Sequence, residues 1–324
     1  MRYLRRERFL VCDAVADLLP PNEPYTILEG GAADSFRDPR WQAFDSNRKR
    51  LYGFEPNREE CDALNVKSRE LGLDYQFFPI GLWREDCRLP LYENKSSGGN
   101  SFYRQNVELT DRWKFESSTV IRPSKGTFYP TGTSEWDLTT IDKWSAQTGI
   151  SDLDFLKLNV QGAEFDILTG ATSILDGVIG MQVEMAFVES YHGRPMFADT
   201  DIFLRSKGFT FFELIGHHCI GRIDSPITAQ QAPGLNGLYG QMIEAHGLYF
   251  RDPIDMLNRG LSIDHLTTAK LLKLAGFAEM YGQHEFCFEL LRWLSPRDPK
   301  IAAMTQRCLE TYRRDFGGWT GVAT

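Results

Sequence analysis

Three side chains that could hold a ligand stand where strand-like runs give way to turns: Glu29, Glu55 and Asn159. Glu29 opens the turn Gly30-Gly31-Ala32-Ala33-Asp34-Ser35. Glycine at such a turn lets the backbone come close to a bound molecule. The pyrophosphate of a dinucleotide wants G-x-G-x-x-G leading into a helix N-terminus, and this segment lacks that spacing. It carries Glu29 and Asp34 instead, two carboxylates that repel a pyrophosphate and suit an ammonium or sulfonium group. Glu55, 26 residues after Glu29, is placed to accept hydrogen bonds from both hydroxyls of a ribose. An adenosine with a cationic tail fits better than a dinucleotide. S-adenosylmethionine is such a molecule.

The elements that must position these residues follow from periodicity and punctuation. Phe9, Val11, Ala14, Val15 and Leu18 recur at helical spacing, so residues 3–19 read as an amphipathic helix stopped by the prolines at 20, 21 and 24. Strands are expected at 25–29, 51–54 and 75–80, with a short helix from Asp38-Pro39 to Phe44. Asn57 with Glu60 three residues on resembles a capping box opening a helix to about Gly72. Residues 81–137 are less regular, with strand-like pieces at 89–92 and 119–122 around the loop 96–101. The α/β rhythm then returns: helix 140–147, strand 154–160, helix 163–175, strand 179–185, helix 197–206 and strand 209–214. Such alternation predicts a doubly wound, mainly parallel, Rossmann-like sheet. Its ligand crevice lies beyond the carboxyl ends of the strands, where strand order reverses. The first and fourth core strands, ending in the Gly30-Gly31 turn and at Asn159, flank that point.

From Asp252 the pattern is all-helical. Stripes at Leu266, Ala269, Leu272, Ala275 and Met280, and at Phe286, Leu290, Leu291 and Leu294, precede a third helix capped by Asp298-Pro299. The expected division is an N-terminal helix and linker (1–24), a ligand-binding α/β domain (25–250) and a C-terminal helical appendage (251–324). The appendage should be structural or oligomeric, outside the cofactor site.

Composition narrows the classes. The 324 residues carry 36 Lys plus Arg against 44 Asp plus Glu, with 42% hydrophobic and 25% charged residues. That is an ordinary globular balance, not a disordered chain. A net charge of −8 argues against nucleic acid, whose phosphates need a basic face. The charged start lacks the apolar stretch of a signal peptide, and the uncharged run 225–243 is broken by Pro, Asn and Gly, a poor membrane span. Six scattered cysteines with no CxxC or His/Cys cluster argue against a zinc site or disulfide framework. No metal ligand set is expected, and a cytoplasmic setting is.

The motifs, in order, are ILEGGAADS from Ile27, LYGFEPN from Leu51, FFPIGL from Phe77, TTIDKW from Thr139, LDFLKLNVQGAEFDILTGA from Leu153, and ESYHGRPMF with GF at Gly208. Across residues 25–250 the chain resembles the FkbM family of S-adenosylmethionine-dependent methyltransferases. The resemblance implies a class I methyltransferase fold in which Glu29, Gly31 and Ala32 line the methionine portion of the cofactor. It implies that Glu55 holds the ribose, that Pro56 and Asn57 shape the adenine side, and that Ile80 and Gly81 flank the adenine. Ser35 stands where the family has a second glycine, and Asn159, at the cofactor side of the fourth strand, stands where Asp is common. The implied reaction is O-methylation of a hydroxyl on a sugar, glycan or secondary metabolite. A neutral hydroxyl is a poor nucleophile, so a base should stand near the methyl group. Glu184, ending the fifth strand, and His192, in the loop after it, are the candidates.

Other residues read as structural. Glu164 is a first-turn carboxylate favoured by the helix dipole, and Lys157 pairs with an acid. His217 and His218 are adjacent in an extended segment and point opposite ways. Trp83, Trp113, Trp136 and Trp144 include candidates for sugar stacking, with core packing as the default. Two rival functions remain at this point: a noncatalytic binding protein that keeps the fold, suggested by Ser35 and Asn159, and a dinucleotide-dependent oxidoreductase.

Overall fold

A computed structural model describes residues 9–20, 22–42, 48–116, 121–123, 129–226 and 240–316. The first half runs α1 (Leu10–Leu18), β1 (Tyr25–Gly30), α2 (Pro39–Gln42), β2 (Lys49–Phe54), α3 (Arg58–Glu70), β3 (Tyr75–Phe78), β4 (Gly81–Leu82), β5 (Cys87–Asn94), α4 (Val107–Thr110), β6 (Trp113–Glu116), β7 (Ile121–Pro123) and β8 (Pro130–Thr139). The second half runs α5 (Ile141–Thr148), β9 (Phe155–Leu158), α6 (Glu164–Thr169), β10 (Gly180–Ala186), α7 (Phe197–Ser206), β11 (Thr210–Arg222), β12 (Gln241–Phe250), α8 (Pro253–Asn258), α9 (Thr268–Met280), α10 (His284–Leu294) and α11 (Pro299–Phe316). The expected helix and strand segments at 3–8, 43–44 and 119–120, and most of the run 225–243, lie outside the described residues. Among those described, no helix is long and apolar enough to cross a membrane.

Nine strands form one sheet in the order β3-β2-β1-β9-β10-β12-β11-β6-β7. Five of them, β3, β2, β1, β9 and β10, are mutually parallel, and β12 runs antiparallel between β10 and β11. Strand order reverses between β1 and β9, which opens the crevice there. The doubly wound α/β fold expected from the sequence is present, with helices on both faces. A second sheet, β4-β8-β5, forms within the irregular segment.

Three local readings need correction. The helix expected over 163–175 ends at Thr169. Gly170 sits so close to the next layer that a Cβ would lie 2.5 Å from the Trp83 carbonyl oxygen, and the chain turns away. Strand β11 continues to Arg222 through bulges that shift its register. The strand β12 went unrecognised, and it supplies the central antiparallel member of the sheet.

Each face of the sheet has its own core. On one, Leu28, Leu156, Leu158, Met181 and Val183 pack with Trp144 of α5, Ile167 of α6 and Leu204 of α7. On the other, Ile27, Phe155, Leu248 and Phe250 pack with α1 and α9–α11. Phe155 stacks on Phe277 at 4.8 Å and Tyr281 at 5.3 Å between ring centroids. The crossover from β1 to β2 contains only a 3₁₀ turn (Ala32–Arg37) and the four-residue α2 among its described residues, too little to cover this face. Helices α9 and α10 cover it. Buried charge pins them: Asp154 accepts from Thr26 N at 2.7 Å and pairs with Lys270 at 2.7 Å and Lys273 at 3.1 Å. Glu279 of α9 accepts from the Val11 and Cys12 amides at 2.8 and 3.0 Å. Those amides are among the orphan donors every helix start leaves, so α9 caps α1 from a distance.

Candidate active site

The carboxyl end of β1 is shaped by a close approach. Gly31 adopts φ 76°, and a Cβ there would lie 2.0 Å from the Asn159 carbonyl oxygen. No other residue fits. Gly31 N donates to Phe54 O at 3.2 Å and Asn159 N donates to Gly30 O at 3.1 Å. The ends of β1, β2 and β9 are thereby tied together. Ala32 is buried behind them, and Gly53 is pressed against it, with an added Cβ 2.9 Å from that of Ala32.

Glu55 and Pro56 are half-buried beyond β2, with Asn57 exposed after them. Glu55 accepts from Asn57 N at 3.0 Å. Burial raises its carboxyl above the usual range, opposed by that amide. The Asn57 side chain accepts from Glu60 N at 3.2 Å and caps α3, as the capping spacing predicts. Ile80 is half-buried, and Gly81 is buried where a Cβ would meet Leu138 at 2.4 Å.

Glu29 does not stand open to a ligand. It is 1% exposed, on the face beneath α9 and α10. Ser35 Oγ donates to one carboxylate oxygen and Lys157 Nζ to the other. Lys157 also pairs with Asp38 at 3.2 Å, and Asp38 with Arg40 at 2.7 Å. Arg40 donates to Gln182 Oε1 at 2.7 Å, which accepts from Tyr281 OH at 3.1 Å. Burial alone would raise the Asp38 carboxyl, but Arg40 and Lys157 hold it down at about 2. Burial alone would lower Lys157; Glu29 and Asp38 raise it. The departure at Ser35 thus serves Glu29, and Lys157 pairs with acids as expected. Asp34, the other carboxylate of the turn, is at the surface with Arg37 at 2.8 Å.

A second cluster stands across β9, β10 and β12. Gln161 adopts φ 58°, a left-handed conformation that a non-glycine residue keeps only when its surroundings hold it. Ser101 Oγ donates to its carbonyl at 2.6 Å, and Tyr191 OH to its side-chain oxygen at 3.2 Å. Its amide reaches Asn159 Oδ1 and Glu184 Oε2, each at 3.4 Å. Glu164 accepts from Val160 N at 2.8 Å and Gly162 N at 2.9 Å and lies 3.9 Å from Arg194. It holds this loop. Glu184 is 3% exposed; burial, then Glu244 and Glu164, push its carboxyl well above the usual range, against Arg194.

The two base candidates do not meet. His192 is 46% exposed, with Nε2 3.7 Å from Glu108. His218 accompanies Glu244, Nδ1 to Oε1 at 2.6 Å. Trp83, Trp113 and Trp144 are core residues, while Trp136 is half-buried and donates to Ser134 Oγ at 2.9 Å. Sequence reasoning missed Arg194, Tyr191 and the β12 pair Glu244 and His246. For the last two the signal was available: from Met242 to Phe250 apolar and polar residues partly alternate with the period of a strand.

Comparison with known proteins completes the description. Among solved structures, the methyltransferase FkbM from Methylobacillus flagellatus KT is 14% identical, with 70% of this chain and 43% of that one covered at a TM-score of 0.38. An S-adenosylmethionine-dependent O-methyltransferase from Thermotoga maritima is 9% identical, covering 74% and 64% at 0.32. TehB from Haemophilus influenzae is 12% identical, covering 74% and 62% at 0.35. The chain therefore spans less than half the length of the first of these. Similarities this low add nothing to the strand order described above. No curated protein matches the sequence. The Methyltransferase FkbM domain, however, matches residues 29–211, more than half of the chain and every strand end that forms the crevice. This protein belongs to the FkbM methyltransferase family.

Proposed function

We propose that the protein transfers a methyl group from S-adenosylmethionine to a hydroxyl of a small-molecule or glycan acceptor. The observation that carries this reading is the approach of Gly31 to Asn159, with the Glu55 carboxylate on the next strand end. A ligand can lie against bare backbone there while a carboxylate receives its paired hydroxyls. Glu29, already neutralised by Lys157, acts from below by holding the turn. Bound S-adenosylmethionine supplies a methyl carbon activated by its sulfonium. The chain's own task is then alignment of a hydroxyl with that carbon and acceptance of the hydroxyl proton. Glu184 suits the second role: its raised pKa moves it toward the range where a carboxylate is an effective base. His192 remains a residue to test at the outer rim. Release of the product into the cytoplasm belongs to the same reading.

Calorimetric titration with S-adenosylhomocysteine and with NAD tests the cofactor. We expect binding of the first, none of the second, and a loss of at least about tenfold in affinity for Glu55→Ala, the scale of one or two hydrogen bonds to a charged group. NAD binding instead overturns the reading in favour of an oxidoreductase. Methyl transfer is then followed with isotopically labelled cofactor over a panel of sugars, glycans and secondary metabolites. Binding without transfer to any of them favours a noncatalytic role. His192→Gln with unchanged turnover removes His192 as a base.

A further inference from the structure

Beyond Glu184 a row of ionisable side chains crosses the sheet toward solvent. Strand register sets His246 of β12 directly opposite Glu184 of β10. Glu244 lies two residues from His246, on the same face of β12. His218 of β11 is the register partner of Glu244 and bonds it at 2.6 Å. Exposure rises along the row: Glu184 is 3% exposed, the Glu244 side chain 16% and that of His218 59%. His246 Nδ1 is buried, and no group among the described residues bonds it. A buried polar atom of that kind calls for a partner beyond the described residues, such as a water.

We propose that Glu184, His246, Glu244 and His218 form the route by which the proton released in methyl transfer leaves the buried site. The proposal rests on the reading of Glu184 as the base. As the hydroxyl oxygen bonds to the methyl carbon, the sulfur–methyl bond breaks and its electron pair stays on sulfur, leaving a neutral thioether. The hydroxyl proton passes to the Glu184 carboxylate. That residue cannot act again until it loses the proton, and it has almost no surface of its own. His246 takes the proton through a bridging water, and Glu244 and His218 carry it to solvent. His246 and His218 thus act through Glu184, without touching the acceptor.

The surrounding charges keep a proton from resting on the His246 ring. His246 faces Lys157 of β9, Arg40 of α2, His218 of β11 and Glu244 of its own strand; burial, then the three cations, lower it to about 4. Glu184 faces Glu244, Glu164 of α6 and Arg194. At neutral pH the ring is neutral, so it carries the proton only in passing. Glu244 draws protons toward the outer end: its bond raises His218, while burial opposes.

Infrared spectroscopy of protein labelled with carbon-13 in its glutamate carboxyls tests this without an acceptor. At a pH low enough to protonate part of the Glu184 population, the band absent from Glu184→Gln identifies its carboxylic acid, and mixing into heavy water reads how fast that proton exchanges. We expect His246→Leu and His218→Gln each to slow that exchange at least about tenfold, with S-adenosylhomocysteine affinity unchanged. Exchange at the wild-type rate in His218→Gln overturns the route, and this surface variant decides the matter if His246→Leu does not fold. Failure of the wild type to bind S-adenosylhomocysteine defeats the functional reading instead, which the exchange rates do not report.

Discussion

The two faces of the sheet are built on the same strands and differ in how their rows of side chains end. Toward α5–α7, Leu156 and Leu158 of β9 and Met181, Val183 and Met185 of β10 stay apolar to the strand ends. Toward α9 and α10, Ile27 is followed by Glu29 and Phe155 by Lys157, and β10 carries Gln182 and Glu184. The apolar half of that face docks the C-terminal helices; the polar half lies at the crevice. A strand with period two can therefore put a core on one side and a site on the other. The lesson is that charge at a strand end is cheap to bury only where opposite charge from other strands meets it.

The largest expected effect breaks the second face outright. Ending the chain before Asp252 uncovers Phe155, Leu248 and Phe250, so the truncated protein should show no cooperative thermal transition. A cooperative melt would show instead that the α/β sheet folds without these helices.

Next is Lys157→Met, which leaves Glu29 and Asp38 buried without their shared cation. Removing one partner of such a pair costs about 3–5 kcal/mol, measurable by denaturant unfolding, and Glu29→Gln in the same chain should recover part of it. On the apolar face, Leu158→Ala should cost about 2–5 kcal/mol through the cavity alone, with no such rescue.

Acid sharpens the contrast. The His246 ring is lowered from 6.5 to about 4 in the folded state, so the unfolded chain binds its proton first. Stability should be unaffected above pH 6.5 and fall by about 3 kcal/mol as pH drops toward 4. His246→Gln should remove that loss. Asp38, depressed from 3.8 to about 2, contributes stability present above its unfolded pKa and lost as pH falls through 2. Leu158→Ala should follow the wild-type pH profile.

The smallest effect is Tyr281→Phe. It deletes the hydroxyl that bonds Gln182 while keeping the ring on Phe155, so the melting curve should report about 1 kcal/mol.

What could be read in advance was local. The Asn57 cap, the glycine turn at Gly31 and the strand and helix alternation each depend on residues within a few positions of one another, and each is in the structure. The α6 helix was over-extended because Gly170 is stopped by Trp83, far away in sequence. Strand β12 is hard to read in sequence because its alternation is imperfect and it follows an uncharged run broken by Pro, Asn and Gly.

By itself the sequence determined the α/β class, the family and the strand ends that form the crevice, because backbone preference and motif order are written along the chain. Only the tertiary structure decided that Glu29 is spent on Ser35 and Lys157, that α9 and α10 are a layer of the core, and that His246 stands opposite Glu184. These are pairings between segments up to 268 positions apart, and strand register and helix docking decide them. No residue carries that register alone: it comes from which apolar rows can be buried together.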